Sequence, residues 1–259
     1  METIEYQGHD RQVTWEGVSL SAEDGFDSFM AGDVASRLHD GETNQELRIC
    51  LRGLATTGFA QESLEEILSA EIPEERDWAI GEAIAEAYLM RQHNIVWPWN
   101  MERDKRTPKA SLPGADLVGF EIDGSTVRLV IGEVKTSSDE NSPPSVMNGR
   151  RGMTHQIDQL ATNLSVIYQL FKWLYPRCRR TENESFFNTA ISLYLNSGNR
   201  AVALFGVLIR GTEPNENDLR ARGIALAGKL EEPSTCELIA LHPPCQIVDL
   251  PALVEGGES

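Results

Sequence analysis

An α/β fold, with a mixed central sheet flanked by helices, is predicted by three stretches of this sequence. Residues 114–137, GADLVGFEIDGSTVRLVIGEVKTS, hold two alternating strands around Asp123-Gly124, a two-residue hairpin signal. In MTHQIDQLATNLSVIYQLFKWLYPR, Met153, Ile157, Leu160, Leu164, Ile167, Leu170 and Leu174 recur at three- and four-residue steps, which predicts one long amphipathic helix. AVALFGVLIR is a continuous apolar run of the kind shown by a strand covered on both faces. Hairpin, helix and buried strand in that order, after an upstream helix, describe a sheet with helices packed against it.

Taken from the start of the chain, residues 1–20 alternate loosely (Ile4, Tyr6, Val13, Trp15, Val18) and predict one or two short strands. Residues 44–70 have helical spacing, with Leu47, Leu51 and Leu54 before TTGFAQES and Leu64, Ile67 and Leu68 after it. The segment SLEEILSAEIPEERDWAIGEAIAEAYLMRQH adds a helix with Trp78, Ile80, Ile84, Ala85, Tyr88 and Leu89 on its apolar positions. NIVWPWN reads as a short strand broken by Pro98, and MERDKRTPKASLPG is polar. SSDENSPPSVMNGRRG is a loop on composition, ENDLRARGIALAGKL a short helix, CELIALHPP a further strand and DLPALVEGGES a frayed helix. No long polar linker splits the chain. Residues 1–75 are expected to form an N-terminal strand and helix extension packed on the core, and residues 76–259 the core itself.

The whole chain excludes several classes. Its 259 residues are 41% hydrophobic, enough for a sizeable core rather than a disordered segment. No run approaches the roughly 20 apolar residues of a membrane span, and METIEYQGHDRQ has neither a basic nor an apolar leader region, so a cytoplasmic protein is expected. Cys50, Cys178, Cys236 and Cys245 are far apart, which signals neither a zinc knuckle nor a disulfide framework. There is no Walker lysine motif and no GxGxxG. The net charge of −17 argues against autonomous binding to nucleic acid, because phosphates are neutralised by Lys and Arg. Residues 100–180 differ from the rest: they hold 12 of the 23 Lys and Arg but only 9 of the 40 Asp and Glu. One region could therefore face an anion while the remainder repels it.

The second strand of the hairpin contains a contradiction. Val127, Leu129 and Ile131 form an apolar stripe that continues on the same side with Glu133 and Lys135. With Asp123-Gly124 as the two-residue turn, Ile122 pairs with Ser125 and Asp116 with Ile131. Asp116 and Glu133 then become diagonal neighbours on one face. Two converging carboxylates resist ionisation unless something positive lies between them. A hard divalent cation meets that need, and Mg²⁺ is often held by one or two carboxylates plus substrate phosphate. Lys135 would aim an ammonium at whatever shares the metal. The competing reading is an ion pair at a sheet end, which is common and weakly stabilising.

Gly114-Ala115-Asp116 followed by Glu133-Val134-Lys135 resembles the PD-(D/E)xK nuclease superfamily, in which an Asp begins one strand and an ExK lies on the next. Gly-Ala stands where the superfamily has Pro-Asp, with Pro113 close by. The resemblance covers residues 78 to 175 and implies a restriction-endonuclease-like core. It implies phosphodiester cleavage dependent on Mg²⁺ or Mn²⁺, with Asp116, Glu133 and the Val134 carbonyl around the metal. Lys135 would orient or acidify the attacking water. It also implies a helix carboxylate, for which Glu82 is favoured over Glu86, and a glutamine on the following helix, where Gln156 and Gln159 stand. More narrowly, the PGADLVGF and GEVKTS segments, the chain length and the acidic flanks are similar to the nuclease subunit of bacterial Hachiman anti-phage defence. That similarity implies DNA as substrate and a helicase partner able to supply most of the phosphate grip. The alternative is a nuclease fold kept as a catalytically silent docking or regulatory subunit.

Other candidates carry weaker signals. Arg150 and Arg151, Lys105 and Arg106, and the cluster Arg177, Arg179 and Arg180 could contact phosphates, although solubilising charge has the same appearance. His155 is a candidate base, but a lone histidine near a helix start is more often structural. Trp97 and Trp99 could stack on bases or, flanking Pro98, pack in the core.

Overall fold

The protein is described by a computed structural model covering residues 2–23, 25–69, 77–104 and 114–255. Its strands are β1 (Glu2–Asp10), β2 (Val13–Leu20), β3 (Ile95–Val96), β4 (Leu117–Asp123), β5 (Thr126–Ser137), β6 (Val202–Arg210) and β7 (Thr235–His242). They form one seven-stranded sheet in the order β1-β2-β7-β6-β5-β4-β3. The four inner strands β2, β7, β6 and β5 run parallel, while β1 on one side and β4 and β3 on the other are antiparallel. The fold is thus α/β with a mixed sheet. Because β2 pairs with β7, the N-terminal strands continue the same sheet as the hairpin.

Helices cover both faces of the sheet, as its parallel centre requires. Every residue of β6 is buried, which explains why AVALFGVLIR shows no alternation. One face is covered by α7 (Met153–Thr162), α8 (Leu164–Cys178) and α9 (Glu184–Asn196), which connect β5 to β6, and by α10 (Arg220–Ala227), which connects β6 to β7. There Met153 and Ile157 close on Gly206, and Gly223 of α10 lies against the Trp15 ring. A Cβ at Gly206 would stand 2.6 Å from Ile157 Cδ1, so the close approach of α7 depends on glycine at that position.

The opposite face carries α5 (Asp77–His93). Gly81 of this helix meets Thr136, and His93 sits edge-on to Phe205 at 5.2 Å between ring centres. From Ala79 to Leu89 every residue except Glu82 is buried, including the expected Ile80, Ile84, Ala85, Tyr88 and Leu89. Against α5 pack α1 (Phe26–Phe29), the π-helical turn Met30–Val34, α2 (Ala35–Leu38) and α11 (Leu250–Glu255). The remaining helices are α3 (Gly41–Leu54), α4 (Gly58–Ser69) and the short α6 (Met101–Asp104).

Several expectations change in detail. The long helix over 153–175 is two helices. Asn163 leaves helical geometry and its side-chain oxygen accepts the N–H groups of Ser165 and Val166 at 3.1 and 3.3 Å, capping α8. A cap of this kind supplies the hydrogen bonds that continuous helix would otherwise give, and hydrophobic spacing does not register it. The hairpin turn is Gly124-Ser125 rather than Asp123-Gly124, since Asp123 pairs with Thr126. Gly124, with φ 56°, takes the first central position, where a positive φ is required. α1, α2 and α9 fall in stretches to which the sequence assigns no element. In α3 and α4 only Leu64 is buried, so their apolar spacing marks helices but not a core face.

Candidate active site

The hairpin register brings the first two candidate residues together. Leu117 pairs with Gly132 and Val118 with Ile131, two residues away from the expected pairing of Asp116 with Ile131. A shift of two keeps every side chain on its face. Asp116, just before β4, therefore comes beside Glu133 rather than diagonal to it. Its N–H donates to the Gly132 carbonyl at 3.0 Å, and its Oδ2 accepts the Val134 N–H at 3.0 Å. Gly114, with φ 92°, turns the chain into this position against Val166 of α8.

Glu133 is 2% exposed, and its neighbour in β6 is Gly206, over which Met153 and Ile157 of α7 close. Lys135, two residues on and on the same face, places Nζ 2.5 Å from Glu133 Oε1. Burial is the main cause that pushes the Glu133 carboxyl up to about 8, and the adjacent Asp116 adds to it; Lys135 acts in the opposite direction. Alternation fixes a third oxygen. The Gly132 carbonyl and the Val134 N–H both face β4, so the Val134 carbonyl also points to that side, past the start of β4.

Among the described residues no group of three or more His, Cys, Asp and Glu side chains is arranged to hold a metal ion by itself. The oxygen donors are two carboxylates and one carbonyl, all hard ligands. That set fits Mg²⁺, which keeps several waters and rarely takes a full protein cage. Ca²⁺, with six to eight oxygens, would be poorly served.

The other candidates are spread around this point. Gln156 is half-buried on α7, between Met153 and Ile157, which flank the β6 neighbour of Glu133. Its amide oxygen is buried without a hydrogen-bond partner among the described residues. Gln159 and His155 are exposed, as are Arg150 and Arg151 in the turn before α7. Glu82 is half-buried on α5, directly after the glycine that meets Thr136, on the face of β5 opposite Glu133. Glu86 is fully buried and paired with Arg37 at 2.6 Å, which gives it a structural role. Lys105 and Arg106 lie outside the described residues.

Trp97 and Trp99 are core residues. Both are buried, and their indole N–H groups donate to the carbonyls of Glu86 at 3.1 Å and Val118 at 3.0 Å. Arg177 is held by Asp104 at 2.9 Å and lies 3.8 Å from the centre of the Trp173 ring.

Sequence reasoning did not identify the group that holds the loop after β5. Arg210, at the end of β6, is 2% exposed and shares its face with Glu133 and Lys135. Its Nε donates to Asp218 Oδ2 at 2.9 Å, its Nη2 to the Asn141 carbonyl at 2.8 Å and its Nη1 to the Asp139 carbonyl. Ser142 Oγ donates to the other Asp218 oxygen at 2.5 Å. Asp139 in turn accepts the N–H groups of Asn141 and Ser145, which hold its carboxyl below the usual range. A charge closing an otherwise apolar run was the available signal for Arg210.

No protein-family model matches this chain, and no curated protein matches it.

Proposed function

We propose that this protein is a nuclease dependent on Mg²⁺ or Mn²⁺ that hydrolyses phosphodiester bonds of DNA. The observation that carries the reading is the gathering of Asp116, Glu133 and Lys135 on one sheet face, toward the carboxyl end of an inner strand. Open α/β sheets place ligands at that end. Asp116 Oδ1, Glu133 and the Val134 carbonyl are the oxygens that would hold the cation. When bound, the cation supplies positive charge to a non-bridging phosphate oxygen and lowers the pKa of water beside it. Lys135 keeps a second positive charge close to the nucleophile, where it can orient the attacking water and offset developing charge. Gln156, with its unsatisfied amide oxygen, would accept a hydrogen bond within the same space, and Arg150 and Arg151 would contact flanking phosphates. Glu82, the helix carboxylate that the resemblance implies, lies on α5 against the opposite face of β5 and is given no part in this chemistry.

The similarity to the Hachiman nuclease subunit supports an effector role in bacterial anti-phage defence, in the cytoplasm and beside a helicase. The charge of −17 supports a partner that carries most of the phosphate grip. It equally favours a second reading, a silent docking or regulatory subunit. Purified protein incubated with plasmid and linear DNA in Mg²⁺, with and without EDTA, tests the first reading. Cutting that is abolished by EDTA and by Asp116→Ala supports it, and cutting unaffected by either refutes it. Calorimetric titration with Mg²⁺, using Asp116→Ala as control, separates the silent subunit, which would take up no metal at this position.

A further inference from the structure

The α3 and α4 pair exposes apolar side chains that the fold does not use. α3 buries none of its residues and α4 buries only Leu64. Leu47 and Leu54 on α3 are 53% and 71% exposed, and Phe59 and Ile67 on α4 are 81% and 66% exposed. Each pair is spaced seven or eight residues apart, which sets its members on one helical stripe. Monomeric proteins rarely leave large apolar side chains so concentrated on ordered helices without a use for them. Beside these residues lies a groove of about 1090 Å³, walled by Arg52, Ala55, Leu64, Glu62, Glu65 and Glu66.

The charges select the occupant. α4 carries Glu62, Glu65 and Glu66 and no Lys or Arg, and α3 adds Glu42 and Glu46 against Arg48 and Arg52, so the pair of helices is net acidic. A second copy would bring the same carboxylates against these, between molecules each of net charge −17. An anionic membrane surface is repelled for the same reason. An apolar stripe bordered by basic side chains meets both features at once, and a helix laid in a groove is the usual form of such an occupant. We propose that the α3 and α4 surface docks an amphipathic helix of another protein, with Lys and Arg flanking its apolar stripe. The inference is independent of the metal chemistry at Asp116 and Glu133.

The test uses the intact chain and a labelled synthetic Leu-Lys amphipathic peptide of about 18 residues, read by fluorescence anisotropy at physiological salt. Saturable binding with one peptide per chain is expected, with none for a Leu-Glu peptide of the same pattern. The pair Phe59→Ser and Ile67→Ser should weaken binding about tenfold without changing the thermal midpoint, since both side chains are exposed. Glu62→Lys with Glu65→Lys should weaken it as well. The proposal is overturned by absence of saturable binding, or by undiminished binding to the serine variant, which would mean charge attraction alone. It is also overturned by a concentration-dependent dimer in light scattering that the serine substitutions abolish, because a second copy would then cover the surface.

Discussion

Lys135 Nζ lies 2.5 Å from Glu133 Oε1, so the ammonium sits against the carboxylate that would hold a metal ion. A bound cation would compete with Lys135 for Glu133 and would leave the ammonium to act on the phosphate. Lys135→Met should therefore bind Mn²⁺ no more weakly than the native protein, while DNA cleavage falls by about 10²-fold or more. Calorimetric titration and single-turnover cleavage measure the two separately. Native cleavage rates in this variant would remove Lys135 from the chemistry.

The raised Glu133 carboxyl gives a pH dependence of defined sign. A carboxyl whose folded pKa is raised above its ordinary value of 4.5 favours the folded state while protonated, and that contribution is lost as pH climbs through about 8. Metal-free protein should lose thermal stability between about pH 5 and pH 9, and Glu133→Gln should flatten the curve. Metal affinity runs the opposite way, rising toward about pH 8 as the proton leaves, because the ligand must be ionised. Superimposable thermal profiles for the two proteins would contradict the assignment.

At Gly206 α7 packs directly against the sheet. A Cβ there would stand 2.6 Å from Ile157 Cδ1, 2.7 Å from Leu238 Cδ2 and 2.9 Å from Met153 Sδ. Gly206→Val should displace α7 and destabilise the protein by about 1–3 kcal/mol, measured as a lower urea midpoint. An unchanged midpoint would show that the helix has room to spare.

The buried pair Arg210 and Asp218 offers a larger effect. Removing one partner leaves an uncompensated charge in a site that is 0–2% exposed. Arg210→Met should cost about 3–5 kcal/mol, whereas Arg210→Met with Asp218→Leu should recover most of that loss. Urea unfolding of the single and double variants decides. A single variant as stable as the native chain would mean that the loop over 138–147 is held by other contacts.

Arg150 and Arg151 are exposed before α7, where a phosphate contact would act on affinity rather than chemistry. Replacing both with Gln should raise KM and lower the slope of log affinity against log salt by roughly 1–2 units, with kcat unchanged. An unaltered salt dependence would make them solubilising charges.

Much of this arrangement was legible in the sequence because the strand period is simple. The period of two put Glu133 and Lys135 on one strand face, and because the register differed by two residues, Asp116 stayed on that face as well. The apolar run at 201–210 announced an inner strand for a different reason, burial on both faces, which removes the alternation. What the sequence left out depends on single interactions that have no period. Asn163 ends a helix by accepting two amide protons, Gly124 places the turn, and Arg210 is buried because Asp218 and two carbonyls from a distant loop surround it. Leu47, Leu54 and Ile67 marked their helices correctly but did not reveal their exposure. Their spacing is that of a buried face, yet no part of the described chain covers it.

The parallel contact between β2 and β7 has a temporal side. Residues 13–19 take their partners from residues 236–242, so β2 is enclosed only after β7 has been made. Until then the Trp15 ring lacks Gly223, its neighbour from α10, and the β1 and β2 hairpin has only itself to lean on. A two-stranded hairpin is marginal alone, and contacts so distant along the chain form late. Closure of this sheet therefore waits for residues 235–242, which delays the maturation of the proposed site built upon it.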